Sequence, residues 1–322
     1  MERLTAAQFL ERLGEELELT SVTESADSAD DILSPDLSIP GLLLAGHDSG
    51  FRSDRVQVLG VAELSFLEAM GEADRVAALD RLCVAGVPCI VVSDGIEPPA
   101  FLVERGNACG IPVLSSPIPS DALIRRIGAS LEELLAPTTT LHGTLVDVYG
   151  MGLLFTGKSG IGKSECGLDL VEHGHRLVAD DVVHVTRTPQ DNLIGYGNDL
   201  LRHYMEIRGV GIIDVMSMYG VRAIRQQKRI EVEVKLVAWS DIEDYERLGL
   251  EERKSEILGV EISQVILPLV TGKNITVISE VIALNQLLKL RGVNPAKEFD
   301  ARLRDLAGKG ADEQDIPRGD SE

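Results

Sequence analysis

Basic side chains are scarce. Of 322 residues, 31 are Lys or Arg against 52 Asp or Glu, a formal net charge of −21 at pH 7. The deficit is greatest in residues 1–135, where 9 basic side chains face 23 acidic ones, and it recurs in the last dozen residues, with 1 against 5. Such a chain has no sustained positive face to follow a phosphodiester backbone, so no nucleic-acid partner is expected. Long apolar runs are also missing: the longest, such as Gly41 to Gly46, fall far short of the roughly 18 residues of a spanning helix, and no membrane partner is expected. The N-terminus reads Met1-Glu2-Arg3 and then an amphipathic pattern, without the basic segment and apolar stretch of a secretory leader, so the expected location is cytoplasmic. The four cysteines, Cys83, Cys89, Cys109 and Cys166, form no CxxC pair and no zinc spacing. They are expected to be reduced, small, buried apolar residues.

What the chain does have is enough length for about two domains at roughly 150 residues each. Leu4, Phe9, Leu10, Leu13 and Leu17 recur at near-helical spacing, PCIVV (88–92) and IPVLSS (111–116) read as short buried strands, and Ala62 to Met70 and Pro99 to Cys109 follow a helical period. This pattern predicts an N-terminal α/β domain over 1–133, with a last helix from Ser120 to Leu135 and a linker at Ala136-Pro137-Thr138-Thr139-Thr140. In the second half, 134–310, β-branched segments dominate: LVDVYG, GLLFTG, RLVADDVVHV, RIEVEVKLVAW, VILPLVTG and NITVISE all read as strands. Two helices are expected to close it, one over about Glu280 to Leu290 and one opened by Asn294-Pro295 and ending near Leu306. Residues 311–322 are acidic, poor in apolar side chains and expected to be disordered.

The strongest chemical signal is Gly157-Lys158-Ser159-Gly160-Ile161-Gly162-Lys163-Ser164, which fits the phosphate-loop pattern GxxxxGK[ST] between a predicted strand and a predicted helix. Its glycines let successive N–H groups point into one concavity, and the helix N-terminus adds partial positive charge there. Lys163 is then expected to reach the β and γ oxygens, and the Ser164 hydroxyl to sit on Mg²⁺. Further on, Arg176-Leu177-Val178-Ala179 is an apolar strand that stops at Asp180-Asp181, a Walker-B-like arrangement in which a carboxylate faces the metal or takes a proton. An acidic turn is the plainer reading of two adjacent carboxylates. His142 precedes the strands that lead into the loop; a lone histidine is more often a structural hydrogen-bonder than a catalyst. The segment Met205-Glu206-Ile207-Arg208-Gly209-Val210-Gly211-Ile212-Ile213-Asp214 places a carboxylate and a guanidinium in an apolar, strand-like stretch. Either a structural ion pair or a metal and phosphate role satisfies it.

Together GKSGIGKS, HRLVADD and MEIRGVGIIDV resemble the bacterial HPr kinase/phosphorylase family, and SDRVQVLG, PCIVVS and Tyr245-Glu246-Arg247-Leu248-Gly249 extend the likeness over nearly the whole chain. The resemblance implies an α/β protein whose second domain is a strand-rich phosphate-loop kinase with C-terminal helices. It implies an enzyme that phosphorylates a serine of HPr, the phosphocarrier of the sugar phosphotransferase system, and removes that phosphate by phosphorolysis, regulating carbon metabolism and sugar uptake. ATP or pyrophosphate would be the donor, Mg²⁺ the metal, and the assembly a homohexamer. By the same likeness His142, Lys163, Asp181 and Arg247 are catalytic. Ser164 and Glu206 hold the metal, and Asp181 is base in one direction and acid in the other. Met205 to Asp214 serves both directions, and Pro268-Leu269-Val270-Thr271-Gly272-Lys273 serves dephosphorylation.

Two departures accompany the likeness. Lys158 stands where the family usually has an acidic or small polar residue, and Lys273 replaces an arginine whose planar fork grips phosphate better. Two other readings remain open at this level: a nucleotide-binding regulator without transfer activity, and a phosphate-loop kinase of a small metabolite.

Overall fold

The structure, a computed structural model, describes residues 4–26, 28–198, 203–239, 252–269 and 274–312, the last six of these by backbone alone. The chain divides into two compact units, Met1–Pro137 and Thr138–Glu322.

In the first unit the elements run α1 (Ala6–Leu13), β1 (Thr20–Ser21), α2 (Gly41–Leu44), β2 (Gln57–Leu59), α3 (Val61–Ala69), α4 (Glu72–Ala85), β3 (Ile90–Val92), α5 (Ala100–Cys109), β4 (Val113–Ser115) and α6 (Ser120–Leu134). Helix α1 starts at a capping box, in which the Thr5 side chain accepts from Gln8 N and the Gln8 side chain accepts from Thr5 N. The sheet order is β1-β4-β3-β2, with β2, β3 and β4 parallel and β1 antiparallel. Val91 and Leu114 face a core shared with α1 and α6, whereas Ile90, Val92 and Val113 face one shared with α3, α4 and α5. Burial on both faces explains why these strands are unbroken apolar runs instead of alternating ones.

One expectation is overturned here. Cys83 and Cys109 form a disulfide, with Cα atoms 5.7 Å apart. Their separation of 26 residues carries no motif; adjacency arises because α4 and α5 pack side by side over Leu79, Leu82 and Leu102 and end together. Cys89 and Cys166 are free and buried, and burial pushes both thiols up to about 12.

The second unit continues with β5 (Thr138–His142), β6 (Thr144–Val148), β7 (Met151–Gly157), α7 (Lys163–Glu172), β8 (Arg176–Ala179), β9 (Val182–Arg187), β10 (Leu193–Tyr196), β11 (Tyr204–Ile207), β12 (Gly211–Asp214), α8 (Val215–Tyr219), β13 (Gln227–Arg229), β14 (Val232–Ala238), β15 (Arg253–Ile257), β16 (Val260–Leu269), α9 (Ile275–Leu290) and α10 (Pro295–Asp312). A six-stranded sheet, β15-β16-β14-β7-β6-β8, packs one face on α7 and α9 and the other on a four-stranded sheet, β13-β10-β9-β5. Strands β7, β14 and β16 run parallel, so the phosphate-loop strand lies inside the sheet with a partner on each side.

Four further expectations change. NITVISE is not a strand: Asn274 caps α9, its side chain accepting from Val277 N, and Thr276, Ser279 and Ala283 are buried at helical spacing, so capping and packing override β-branched propensity. Thr138 to Thr140 belong to β5 instead of a linker, because β5 pairs along its length with β9. RLVADDVVHV is two strands in two different sheets, β8 pairing with β6 and β9 with β5 and β10, and the chain crosses over at Asp180-Asp181. The tail expected from 311 begins inside α10, which runs to Asp312; residues 313–322 lie outside the described ones.

Candidate active site

Strand β7 is buried from Met151 to Phe155 and ends at Gly157, where the phosphate loop begins. Gly157 has φ 141°, and a Cβ there would fall 2.5 Å from the Leu236 carbonyl oxygen of β14, so only glycine lets the loop leave the sheet at this point. Lys158, Ser159 and Gly160 are exposed, while Ile161 turns inward onto the core below α7. Gly162 is the N-cap of α7, so Lys163 and Ser164 are its first residues and lie half-buried, not on a free loop. The Lys163 ammonium donates at 3.3 Å to the carbonyls of Gly157 and Lys158. Among the described residues these two loop carbonyls are its hydrogen-bond partners.

The loop is tied to β8 through Asp180. Its Oδ1 accepts from Ser164 Oγ at 3.0 Å and from Thr144 Oγ1 at 2.6 Å. Burial holds this carboxyl above the ordinary aspartate range, and the two hydroxyls oppose that shift only in part. Asp181 is different: it is exposed, has φ 62°, and accepts Gly143 N on its main-chain carbonyl. That hydrogen bond joins the turn before β6 to the crossover after β8 and sets the Asp181 carboxylate 3.9 Å from His142 Nδ1. At this distance the two side chains face one another without a direct hydrogen bond. His142 and Asp181 are therefore brought together, and Asp180 and Ser164 are brought together.

The segment from Met205 to Asp214 is a hairpin, β11 with β12, and not one strand-like stretch; Met205 pairs with Ile213 and Ile207 with Gly211. Met205 is 1% exposed, and Ile207 and Ile213 join it against the core, so alternation turns Glu206 to the opposite face, and Arg208 follows in the turn. Arg208 places its guanidinium against Gly160 of the phosphate loop. Arg208, Gly209 and Val210 form the turn, Gly209 and Gly211 have positive φ, and Val210 and Ile212 are exposed. Asp214 has a structural occupation: it caps α8, accepting Ser217 N at 3.1 Å and Ser217 Oγ at 2.5 Å, and the Ser217 hydroxyl chiefly holds its carboxyl below the ordinary range. Pro268 and Leu269 end β16 opposite Val237 and Ala238 of β14. Arg247 and Val270, Thr271, Gly272 and Lys273 lie outside the described residues.

Two participants escape motif reading. Thr144, fully buried at the start of β6, orients Asp180; a threonine directly before Leu145 and Val146 is the trace it leaves in the sequence. Thr156, the last residue before Gly157, donates to Glu233 Oε1, whose other oxygen accepts from Gln264 Nε2 at 2.9 Å. This links β7, β14 and β16 beside the loop. Burial pushes the Glu233 carboxyl up, but the hydrogen bonds from Thr156 and Gln264 help outweigh it and leave it below the ordinary range.

Oxygen donors of this kind fit Mg²⁺, which keeps waters and relies on one or two protein groups plus substrate phosphates. Among the described residues no group of three His, Cys, Asp or Glu forms a cage for a metal ion. The Ser164 hydroxyl, hydrogen-bonded to Asp180 beside the loop, is one oxygen donor of this kind.

Residues 4–131 match the family model for the HPr Serine kinase N terminus and residues 133–303 that for the HPr Serine kinase C-terminal domain. The HPr kinase/phosphorylase of Geobacillus kaustophilus is 45% identical over 284 residues, 88% of this chain and 91% of that protein. The Bacillus subtilis protein of the same name is 43% identical over 298 residues, 92% and 96% respectively. A solved structure of the Hpr(Ser) kinase/phosphatase from Coxiella burnetii, 30% identical, covers 52% of this chain and 97% of its own, with a TM-score of 0.45. With both halves matched and relatives this similar along almost their whole length, the chain belongs to the HPr kinase/phosphorylase family.

Proposed function

We propose that this protein transfers the γ-phosphoryl group of ATP, or a phosphoryl group of pyrophosphate, to a serine of HPr, and that it reverses the modification with inorganic phosphate. The observation that carries the reading is the seam at Asp180-Asp181. One carboxylate is tied to the phosphate loop through Ser164, and its neighbour is held beside His142, open to a protein substrate.

In the forward direction the loop N–H groups and Lys163 hold the donor phosphates, and the ammonium exchanges its two carbonyl partners for phosphate oxygens. The serine hydroxyl of HPr attacks the γ-phosphorus. A new O–P bond forms, the bond to the β-bridging oxygen breaks, ADP leaves, and the hydroxyl proton passes to Asp181. His142 supports the proton-bearing carboxyl. In reverse, Asp181 returns that proton to the serine oxygen as inorganic phosphate attacks the phosphoserine and pyrophosphate is released. Transfer of this kind depends on positioning and charge neutralisation more than on covalent help. Ser164 and Glu206 would hold Mg²⁺, which when bound neutralises charge on the phosphates. The Asp180–Thr144 pair keeps Ser164 aimed. Arg247 and the Pro268 to Lys273 segment are assigned to the same chemistry by family likeness.

The protein is proposed to work in the cytoplasm as a homohexamer. Among the described residues no helix is long and apolar enough to cross a membrane. A row of exposed apolar side chains, Val277, Val281, Leu284 and Leu288 on α9, supports subunit contact.

The test is incubation of purified protein with Mg-ATP and HPr, followed by the intact mass of HPr and a second incubation with phosphate. HPr gaining one phosphoryl group and losing it with release of pyrophosphate supports the reading. Bound ATP with unmodified HPr makes the protein a nucleotide-controlled regulator. Transfer to a small metabolite in place of HPr makes it a metabolite kinase.

A further inference from the structure

The disulfide of the first unit has a setting that the two free cysteines do not share. Cys83 sits in the last turn of α4 and Cys109 is the last residue of α5, and each helix ends at a glycine in the left-handed conformation, Gly86 with φ 71° and Gly110 with φ 69°. Both cysteines are half-buried, and Val84, Asn107, Ala108 and Gly110 around them are exposed, so the pair lies at the surface of the unit, where a small solute can approach. Cys89 and Cys166 are 0% and 3% exposed, and the burial that pushes their thiols up to about 12 leaves them almost no thiolate at neutral pH. Thiol chemistry is thus confined to one pair.

Cutting the bond leaves the two helices joined. Arg75 of α4 lies 4.5 Å from the ring centroid of Phe101 of α5, Asp80 is paired with Arg105, and Leu79, Leu82 and Leu102 pack in one cluster. These ties climb both helices in the same order, with Cys83 and Cys109 as the last step, so the sulfurs stay opposed when the covalent link is gone. Room for the thiols is present too. Two thiols need more space than one disulfide, because bonded atoms become non-bonded neighbours, and a small apolar cavity lined by Leu79, Leu82, Cys83, Ile90, Leu102 and Ile111 supplies it. What the link does hold is the helix ends and the chain that meets them. Glu24 N donates to Asn107 Oδ1 at the end of α5 at 3.0 Å, and the Asp30 carboxylate lies 3.0 Å from where a Cβ at Gly86 would stand, at the end of α4.

We propose that Cys83–Cys109 is a reversible redox site, opened by a dithiol reductant and closed by a disulfide oxidant, and that its state sets how firmly the carboxyl ends of α4 and α5 and the chain at Glu24 and Asp30 are held. In the opening step one thiolate of the reductant attacks one sulfur of the pair, forms a mixed disulfide and expels the other cysteine as a thiolate, which takes a proton from water. The second thiol of the reductant then attacks the reductant's own sulfur in that mixed disulfide and releases the remaining cysteine. The protein gains two electrons and two protons, and the reductant leaves as a cyclic disulfide. A dithiol suits the site because both cysteines lie in the last turns of helices, where the dipole gives a departing thiolate no help, and its second step is intramolecular. In the closing step the two cysteines reduce a disulfide oxidant to its thiols by the same exchange.

Two readouts test it, and neither needs HPr or ATP. In the first, the full chain is oxidised, then reduced with dithiothreitol, then treated with excess oxidised glutathione, and a sample from each stage is alkylated with iodoacetamide without denaturant and mapped by peptide mass spectrometry. No label is expected on the oxidised protein, label on Cys83 and Cys109 alone after reduction, and none again after reoxidation. Label on Cys89 or Cys166, no label after reduction, or failure of the reduced pair to close overturns the proposal. In the second, amide hydrogen exchange is compared between the two redox states. The amides of Glu24, Gly86 and Gly110 are expected to exchange about 10-fold or more faster in the reduced protein, while those of Val91 and Leu114 inside the sheet keep their protection. The double variant Cys83→Ser with Cys109→Ser should show the faster pattern with or without dithiothreitol. Equal exchange in the two states of wild type, or a double variant that still responds to the reductant, overturns the proposal.

Discussion

Each unit of the molecule carries a polar loop at the carboxyl end of a parallel strand, and the two loops have settled their hydrogen bonds in opposite ways. After β3 the chain turns at Ser93-Asp94. Ser93 is fully buried, and its hydroxyl meets Asp94 Oδ2 at 2.8 Å and Ser120 Oγ at 2.6 Å, while Ser120 N donates to Asp94 Oδ1 at 3.0 Å. The Ser120 hydroxyl chiefly holds the Asp94 carboxyl below the ordinary range, so the charge is well solvated by the protein itself. After β7, by contrast, Lys163 has only loop carbonyls at 3.3 Å, Asp180 is held above the ordinary range, and Arg208 rests on a glycine. Backbone strain does not separate the two, since Asp94 and Asp181 have φ 63° and 62°. Closure does. Polar groups that satisfy one another build structure, and groups satisfied only by the loop that carries them are held for a ligand.

The largest expected effect is at Lys163. Lys163→Ala should reduce transfer to HPr by about 10³-fold or more and leave the melting temperature near wild type, because among the described residues the ammonium has no side-chain partner. Near-normal turnover would erase the contrast between the loops. Next comes Asp181→Asn, expected to slow phosphorylation and phosphorolysis alike by about 10²-fold, toward the low end for general-base catalysis because a loose transition state asks little of the base. Loss in one direction alone would move the other proton to His142 or Asp180. In the first unit the roles invert. Asp94→Ala should cost about 1 kcal/mol of stability, held low by the exposure of Asp94, and leave kcat unchanged. A catalytic defect without a drop in melting temperature would mean that this loop also serves a ligand.

The smallest effect concerns Asp180 and has an unusual sign. Its folded pKa is raised, so at neutral pH the charged carboxylate works against the fold, and the stability linked to its protonated form is lost as pH rises through the folded value. Asp180→Asn keeps an oxygen for Thr144 and Ser164 without the charge. It should melt about 1–3 °C higher at pH 7, with the gain shrinking as pH falls toward the ordinary aspartate range, while transfer activity declines. A lower melting temperature at pH 7 would show that the hydroxyl donors outweigh burial after all.

How much of this could be read beforehand depended on whether the signal was local. The phosphate loop, α6 and the strands β3 and β4 are set by neighbours in sequence: glycines at fixed spacing, a helical period, an apolar run between turns. NITVISE misled because β-branched residues describe a surface to be packed and not a backbone state, and the Asn274 cap with α9's buried stripe decided otherwise. RLVADDVVHV looked continuous because the change of sheet at Asp180-Asp181 is a matter of partners, which lie in β6 and β5. The Cys83–Cys109 pair and the Arg208–Gly160 contact are products of helix and hairpin docking, with no trace in spacing. Thr144 stood between these cases: its oddity was visible, its partner was not.

The edge position of β5 has a consequence for motion. Strand β5 has one neighbour, β9, and ends at His142, whereas β7 is flanked on both sides and leads straight to the loop. Amide protons of β5 should therefore exchange with solvent through small local openings, and those of β7 only when the whole unit opens. The two halves of the proposed chemistry then keep different time. The strand that leads to the phosphate loop is expected to open only with the whole unit, while the strand that ends at His142 is expected to open locally within the native state.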